Sequence, residues 1–388
     1  MRTTKKYHLP PLLKYPGGKE SELKYIHEHL PLEFNAFYEP FLGGGSVYLS
    51  IDANQYFVND KSFELMLFYD CIKNQNIVFF ENLEAINYNW KLISKITCVH
   101  NLELTNLYLE FYNDVLTNQE INDAIVRFVV VNADEFNGLL SDKFNYDIEN
   151  FVNILKKTLL RKFERMKRIS FDKGDLSNDD ILANIESALK ASFYTHLRKI
   201  YNSRLLFSTS DAGHSAIYFF IRQMCYSSMF RYNINGEFNV PYGGISYNQK
   251  NFDKSIEYFK SEALLEQLKK TEFGNDDFYD FLLKFPPQEN DFLFLDPPYD
   301  SDFSTYANNE FGVSDQNRLA KYLIEECRAN FMLIIKNSDL ISSLYIEGTP
   351  TVKGRSLNIS SFEKSYLVSF QNRNIKETEH LIITNYQS

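Results

Sequence analysis

The segment Asp296-Pro297-Pro298-Tyr299 puts an acid, two prolines and an aromatic on one turn, directly after the apolar run Phe292-Leu293-Phe294-Leu295. Four apolar residues ended by an acid and two prolines predict a buried strand that stops abruptly at its C-terminal end. Open α/β sheets build their ligand sites at that edge. Prolines stiffen the turn and lack an N–H, so their carbonyls can face a pocket without local competition. Tyr299 offers a flat face to a planar ring. These groups suit an exocyclic amino group on a flat heterocycle. Such a nitrogen, adenine's for example, is a poor nucleophile because its lone pair is delocalised into the ring. Two acceptors, the Asp296 carboxylate and the Pro297 carbonyl, would take both N–H bonds and draw the nitrogen toward tetrahedral geometry. The freed lone pair could then attack a methyl sulfonium placed in line. This is catalysis by positioning and electrostatics. Taken alone, the string also reads as a plain Pro-rich turn after a strand.

A second candidate site lies near the N-terminus. Ala36-Phe37-Tyr38-Glu39-Pro40-Phe41-Leu42-Gly43-Gly44-Gly45-Ser46-Val47 reads as strand, glycine loop and helix start, with Ser46 as N-cap. The short strand Tyr56-Phe57-Val58-Asn59-Asp60 follows. Asp60 falls at the spacing where an acid ending a second strand meets ribose hydroxyls. The bland alternative is a tight turn with an unrelated surface Asp. Upstream, Lys14-Tyr15-Pro16-Gly17-Gly18-Lys19 is another glycine turn. It lacks the Lys-Ser/Thr ending of a Walker motif, which excludes triphosphate binding of that kind.

The elements that must hold these loops are set by composition. The chain has 388 residues, enough for two or three domains, with 44% hydrophobic and 24% charged residues, as in soluble globular proteins. No apolar run is long enough to span a membrane, and no hydrophobic signal core follows Met1-Arg2-Thr3-Thr4-Lys5-Lys6, so a cytoplasmic protein without membrane attachment is expected. Cys71, Cys98, Cys225 and Cys327 are scattered and read as reduced thiols; neither Cys nor His clusters, so no metal is implied. The net charge of −10 excludes a protein coated in basic surface but not a local basic groove.

In this order the pieces resemble the Dam-type DNA adenine-N6 methyltransferases (the alpha class, D12). Leu13-Lys14-Tyr15-Pro16-Gly17-Gly18-Lys19 is similar to the family's N-terminal cofactor motif, with Tyr15 where Trp is usual. Phe37 to Val47 resembles its glycine-rich motif, and Asn59-Asp60 with Leu65 and Tyr69 its ribose-binding segment. Arg231-Tyr232-Asn233-Ile234-Asn235-Gly236-Glu237-Phe238-Asn239-Val240-Pro241-Tyr242-Gly243 is similar to its DNA-recognition hairpin. Asp296-Pro297-Pro298-Tyr299 matches the catalytic motif, and Glu379 to Tyr386 its closing strand. The resemblance implies an α/β fold: a Rossmann-like sheet using S-adenosyl-L-methionine, with an inserted, mainly helical target-recognition domain carrying a β-hairpin. It implies that Tyr15, Lys19, Glu39, Phe41, Gly43, Gly45, Asp60, Phe278 and Asp296 bind the cofactor. Asp296, Pro297, Pro298 and Tyr299 would act on adenine flipped from double-stranded DNA, which the chemistry also requires. Arg231, Tyr232, Asn233, Asn235, Asn239 and Pro241 would contact DNA. Phe303, Tyr306 and Phe311 would either close as a lid or simply pack their loop. The implied setting is a restriction–modification or phage/host modification system, in which a cognate endonuclease is a partner. Rival readings are methylation of cytosine N4 or of RNA adenine, a catalytically silent DNA reader, and a phosphate-binding α/β enzyme.

The expected domains are 1–68 plus 265–388 for catalysis and 69–264 for recognition. The latter holds a long helical stretch. Phe151, Ile154, Leu155, Leu159, Phe163 and Met166 recur at helical spacing, with Lys156, Lys157, Arg161, Lys162, Arg165, Lys167 and Arg168 between them. That charged side reads as a solvated face or as a phosphate contact, the former being the more ordinary. Segments 141–150 and 172–180 are polar and expected to be loops. Asn235 and Gly244-Ile245-Ser246 stand where the family is more basic, so a GATC target is not implied. Arg231 reads as a phosphate contact or as a structural ion-pair partner. After the catalytic turn, a helix over 315–327, a strand over 330–336 and a terminal antiparallel pair are expected.

Overall fold

The computed structural model describes residues 9–144, 146–298, 311–365 and 377–387. Two units emerge, Met1–Lys73 with Ser261–Ser388, and Asn74–Lys260. The first is built on seven strands: β1 (Ala36–Glu39), β2 (Gln55–Asn59), β3 (Thr271–Gly274), β4 (Phe292–Leu295), β5 (Asn330–Lys336), β6 (Asn358–Ser365) and β7 (Glu377–Thr384). They form one sheet in the order β3-β2-β1-β4-β5-β7-β6. The first five are parallel, and β7 runs antiparallel to both β5 and β6. The mixed α/β class expected from the sequence is therefore observed.

Sequence explains which strands are central. Every residue of β1 and β4 is buried, as are the five middle residues of β5. Parallel strands covered on both faces read as continuous apolar runs, and these do. Each fully buried Phe or Leu contributes about 1.5–3 kcal/mol of transfer free energy. Strand order reverses between β1 and β4, which pair directly, Phe37 opposite Phe292 and Tyr38 opposite Leu293. At such a reversal the outgoing loops diverge and leave a crevice beyond the strand ends.

Several local expectations need correction. The glycine turn does not open into a helix capped by Ser46. A single 3-10 turn, Tyr48–Ser50, follows without a side-chain cap. The Tyr48 N–H is taken instead by Glu39 Oε2 at 2.9 Å, so β1 itself satisfies the donor that a cap would serve. The helix expected over 315–327 spans Val313–Lys321 and finishes as a π turn over Tyr322–Glu326. The short strand β3 was not foreseen, because Thr271-Glu272-Phe273-Gly274 has no apolar run.

The second unit is helical: Ile77–Val99, Asn101–Tyr112, Asn118–Val131, Ala133–Phe144, Ile148–Lys173, Asn178–Asn202, Asp211–Met224 and Asp253–Phe259. Of the polar segments expected to be loops, 141–144, 148–150, 172–173 and 178–180 are helical, while 146–147 and 174–177 are not. Asp147 and Ser177 cap the next helices by accepting N–H bonds from Asn150 and Asp180, so a few residues suffice to restart each. Among the described residues no helix is long and apolar enough to cross a membrane.

Candidate active site

Four neighbouring strand ends carry the predicted residues. From the end of β2, Asp60 reaches back to the glycine turn after β1. Its carboxylate accepts the N–H of Gly43 and of Ser62, each at 2.9 Å. Burial pushes the Asp60 carboxyl above its ordinary range, and these two bonds oppose the rise. The sequence reading places Asn59 in the ribose-binding segment but gives its side chain no role, yet it joins three strand ends. Its amide donates to the carbonyls of Pro40 and Asp276 at 3.1 and 3.0 Å and accepts the Asp276 N–H at 2.9 Å. The available signal was an amide closing an otherwise apolar strand.

The N-terminal turn folds against the same glycines. Gly44 has no room for a side chain: a Cβ would lie 2.6 Å from the Leu13 carbonyl and 3.2 Å from Tyr15 Cβ. Gly43, at φ +50°, lies against the Tyr15 ring. The Tyr15-Pro16-Gly17-Gly18 turn closes with the Gly18 N–H donating to the Tyr15 carbonyl at 3.1 Å. It delivers Lys19, 3% exposed, to Asp296 at 2.5 Å. Lys19 Nζ also donates to the Gly17 carbonyl at 3.0 Å and lies 3.6 Å from Glu22. Lys19 was expected to serve a cofactor; here it binds the carboxylate of Asp296, the residue expected to be catalytic. Glu39 is fully buried nearby. Burial, and then the negative charge of Asp296, hold its carboxyl well above the usual range, while the Tyr48 N–H and Lys19 pull the other way. Lys19 thus lies against the carboxylates of Asp296 and Glu22, and Glu39 feels the charges of Asp296, Lys19 and Asp60.

An aromatic wall stands beside these acids. Phe278, 3% exposed and first in the helix after β3, lies 5.6 Å from Phe41 and 5.7 Å from Phe311, which are 5.4 Å apart. Phe311 therefore packs, one of the two roles considered for it. Arg318 covers Phe278 while pairing with Asp277 at 2.6 Å and Asp315 at 2.9 Å. Tyr299, Phe303 and Tyr306 lie outside the described residues. A residue the sequence did not flag is Gln316, 0% exposed on the helix Val313–Lys321. Its Nε2 donates to the Pro298 carbonyl at 3.3 Å, and its buried Oε1 has no partner among the described residues. Its only sequence signal was an uncharged amide on the inward face of a polar helix. Among the described residues no group of His, Cys, Asp and Glu could hold a metal.

The proposed DNA-contacting residues belong to the second unit. The Arg231 to Pro241 segment is a hairpin held by single bridges rather than a ladder, Tyr232 to Phe238 and Cys225 to Tyr242. Its turn is built by Asn233, whose Oδ1 accepts the N–H of Asn235 and of Glu237 at 3.0 and 2.9 Å. Ile234, Asn235, Gly236 and Glu237 are exposed at the tip and Pro241 near the base. Arg231 is exposed and has no ion pair among the described residues. Its Nε donates to Asn239 Oδ1 at 2.8 Å, so its structural partner is an amide rather than the acid considered above. The helix Asn178–Asn202 anchors the segment. Asn202 exchanges two bonds with the backbone of Phe238 at 3.0 and 2.9 Å, and Tyr194 and Arg198 both donate to the Val240 carbonyl.

Comparison with known proteins agrees with this geometry. The family model described as D12 class N6 adenine-specific DNA methyltransferase matches residues 15–191 and 144–356. The chain is 23% identical over 386 residues to the type II methyltransferase M.CviBI of Paramecium bursaria Chlorella virus NC1A, covering 97% of this chain and all of that protein. It is 21% identical to the type II methyltransferase M1.LlaDCHI of Lactococcus lactis subsp. cremoris, covering 98% of this chain and 97% of the relative. It is 23% identical to a DNA adenine methylase of Serratia marcescens, covering 79% and 75% respectively.

Proposed function

This chain belongs to the D12 class of N6 adenine-specific DNA methyltransferases, and we propose that it methylates a flipped adenine in double-stranded DNA at the crevice beyond β1 and β4, using S-adenosyl-L-methionine. The residues fit that cofactor. Asp296 and Glu22 against Lys19, with Glu39 close enough to feel both Asp296 and Asp60, leave a negative edge suited to a ligand bearing a sulfonium and an ammonium. Gly43 and Gly45 let the turn take positive φ and pack closely on Tyr15 and Tyr69, shaping it for the cofactor. Asp60 faces ribose hydroxyls, and Phe41 and Phe278 pack beside a purine ring. Tyr15 and Lys19 close the other side. The cofactor supplies an electrophilic methyl. Asp296 and the Pro297 carbonyl accept the two N–H bonds of the adenine amine, and Pro298 and Tyr299 flank its ring. Lys19 sets the angle of the Asp296 carboxylate before substrate arrives, which is electrostatic preorganisation.

The observation that carries this reading is Asp296, at the end of β4 beside the glycine turn of β1, locked to Lys19 at 2.5 Å. The helical unit is the target-recognition domain, its hairpin contacting DNA through Arg231, Tyr232, Asn233, Asn235, Asn239 and Pro241. Relatives named type II methyltransferases support a role in a modification system with a cognate endonuclease. Free cysteines, three of four buried, fit a cytoplasmic setting. The test is to incubate the protein with unmethylated genomic DNA and S-adenosyl-L-methionine, digest to nucleosides and look for N6-methyladenine by mass spectrometry. Product from the parent but not from Asp296→Ala is expected. Methylcytosine, or equal product from the variant, would refute the assignment.

A further inference from the structure

The helix Ile148–Lys173 buries Phe151, Leu155, Leu159, Phe163 and Met166 along one side. Lys157, Arg161, Arg165 and Arg168 form a second row at the same spacing, and all four are exposed. Successive members are about 6 Å apart and the row spans about 16 Å. Over that length B-DNA carries about nine phosphates. Two other cations of this unit are neutralised, Lys167 by Asp114 at 2.5 Å and Lys199 by Asp147 at 2.7 Å. The row is not. Among the described residues none of its four members makes an ion pair, with Glu149, Glu164 and Asp172 of the same helix or any other acid, although Glu164 lies beside Arg168. The adjacent helix Asn178–Asn202 opens with Asp179 and Asp180, which make no ion pair with the row either. Lys156 and Lys162 stand half-buried beside it, and burial together with the charge of Arg165 pushes the Lys162 ammonium down. In a chain of net charge −10, an uncompensated basic stripe is where anions concentrate.

We propose that this outer face of the helix Ile148–Lys173 is a second DNA contact, gripping the sugar–phosphate backbone through Lys157, Arg161, Arg165 and Arg168 without reading bases. The proposal rests on the DNA methyltransferase reading above. Backbone contacts position a protein and set its salt dependence but carry no sequence information. A variant Lys157→Gln/Arg161→Gln/Arg165→Gln should therefore lose affinity equally on target and mismatched duplexes. Its slope of log affinity against log salt should fall by about 2–3, since each phosphate contact contributes about 0.9. Lys269→Gln/Lys270→Gln/Lys321→Gln makes the same change of net charge on exposed lysines of the other unit and should shift the slope by less than about 1. Arg161→Lys/Arg165→Lys keeps the charges and should keep the parental slope; loss there would mean disturbed packing and would overturn the proposal. So would a triple variant whose slope matches the parent or the charge-matched control. Parent protein that makes no N6-methyladenine would sink the functional reading itself. A methylating parent with an unaltered slope in the variant would sink this contact alone.

Discussion

Lys19 is 3% exposed and faces two carboxylates, Asp296 at 2.5 Å and Glu22 at 3.6 Å. Removing one partner of a buried pair strands the other in a medium that cannot solvate it. Lys19→Met should therefore cost about 3 kcal/mol of folding free energy, the lower end of the range for buried pairs because Asp296 keeps 18% exposure. Urea titration of the free enzyme measures this, and a loss below about 1 kcal/mol would mean that solvent screens the pair. Glu39 gives the opposite lesson, since its own charge is the burden. Its folded carboxyl titrates above its unfolded value, so its contribution to stability is complete below the unfolded pKa and disappears as pH rises through the folded one. Glu39→Gln keeps an acceptor for the Tyr48 N–H and cannot ionise. The stability of this variant relative to the parent should increase from pH 4 to pH 8, by on the order of 1 kcal/mol or more. A difference that stays flat across that range would remove Glu39 from the acid cluster.

At the scale of elements, the hairpin that presents Arg231 and Asn235 has almost no ladder of its own, so its shape is imposed from outside. Asn202, last residue of the helix Asn178–Asn202, bonds both the N–H and the carbonyl of Phe238. Asn202→Ala leaves both backbone groups unpaired against a buried Phe238 and should cost about 1–3 kcal/mol. It should raise KM for DNA while leaving cofactor affinity at its parental value, as methylation kinetics and calorimetry would report; unchanged KM would mean the hairpin holds itself. This link also marks where legibility ended. β4 and β5 were readable because apolar runs cut off by Asp, Pro or Lys are local signals. The glycine turn was readable because its conformation depends on its own residues. Asn202, Gln316 and the Lys19 to Asp296 contact were not, because each pairs with a residue far away in sequence and has an ordinary local context. β3 failed for a related reason: Thr271 to Gly274 becomes a strand only because β2 is beside it, Tyr56 opposite Thr271. Ser46 failed because Glu39 does the capping.

For the whole molecule, the chain leaves the sheet unit at Lys73 and rejoins it at Ser261. β1 and β2 come from the first segment and β3 to β7 from the second, so the sheet forms only when both meet. The two ends are tied within this unit. Lys73 Nζ donates to the Thr271 carbonyl at 2.6 Å, and the helix Phe63–Lys73 packs on both β3 and the helix Glu262–Lys269. All the residues proposed to face the cofactor lie in these two segments, whereas the hairpin and the basic helix lie between them. A flexible linker of about ten residues, with a root-mean-square span of about 16–19 Å, should be able to replace residues 74–260. Loop-closure entropy would favour that shorter connection, since each halving of a loop recovers about 0.6 kcal/mol. The shortened protein should melt cooperatively and bind S-adenosyl-L-methionine within a few-fold of the parent, while its affinity for duplex DNA falls at least tenfold. Differential scanning calorimetry and titration calorimetry would report the two halves separately. Cofactor binding lost with the insertion would show that the helical unit props up the sheet. Duplex affinity surviving its removal would return DNA binding to the catalytic unit and leave the helices without that role.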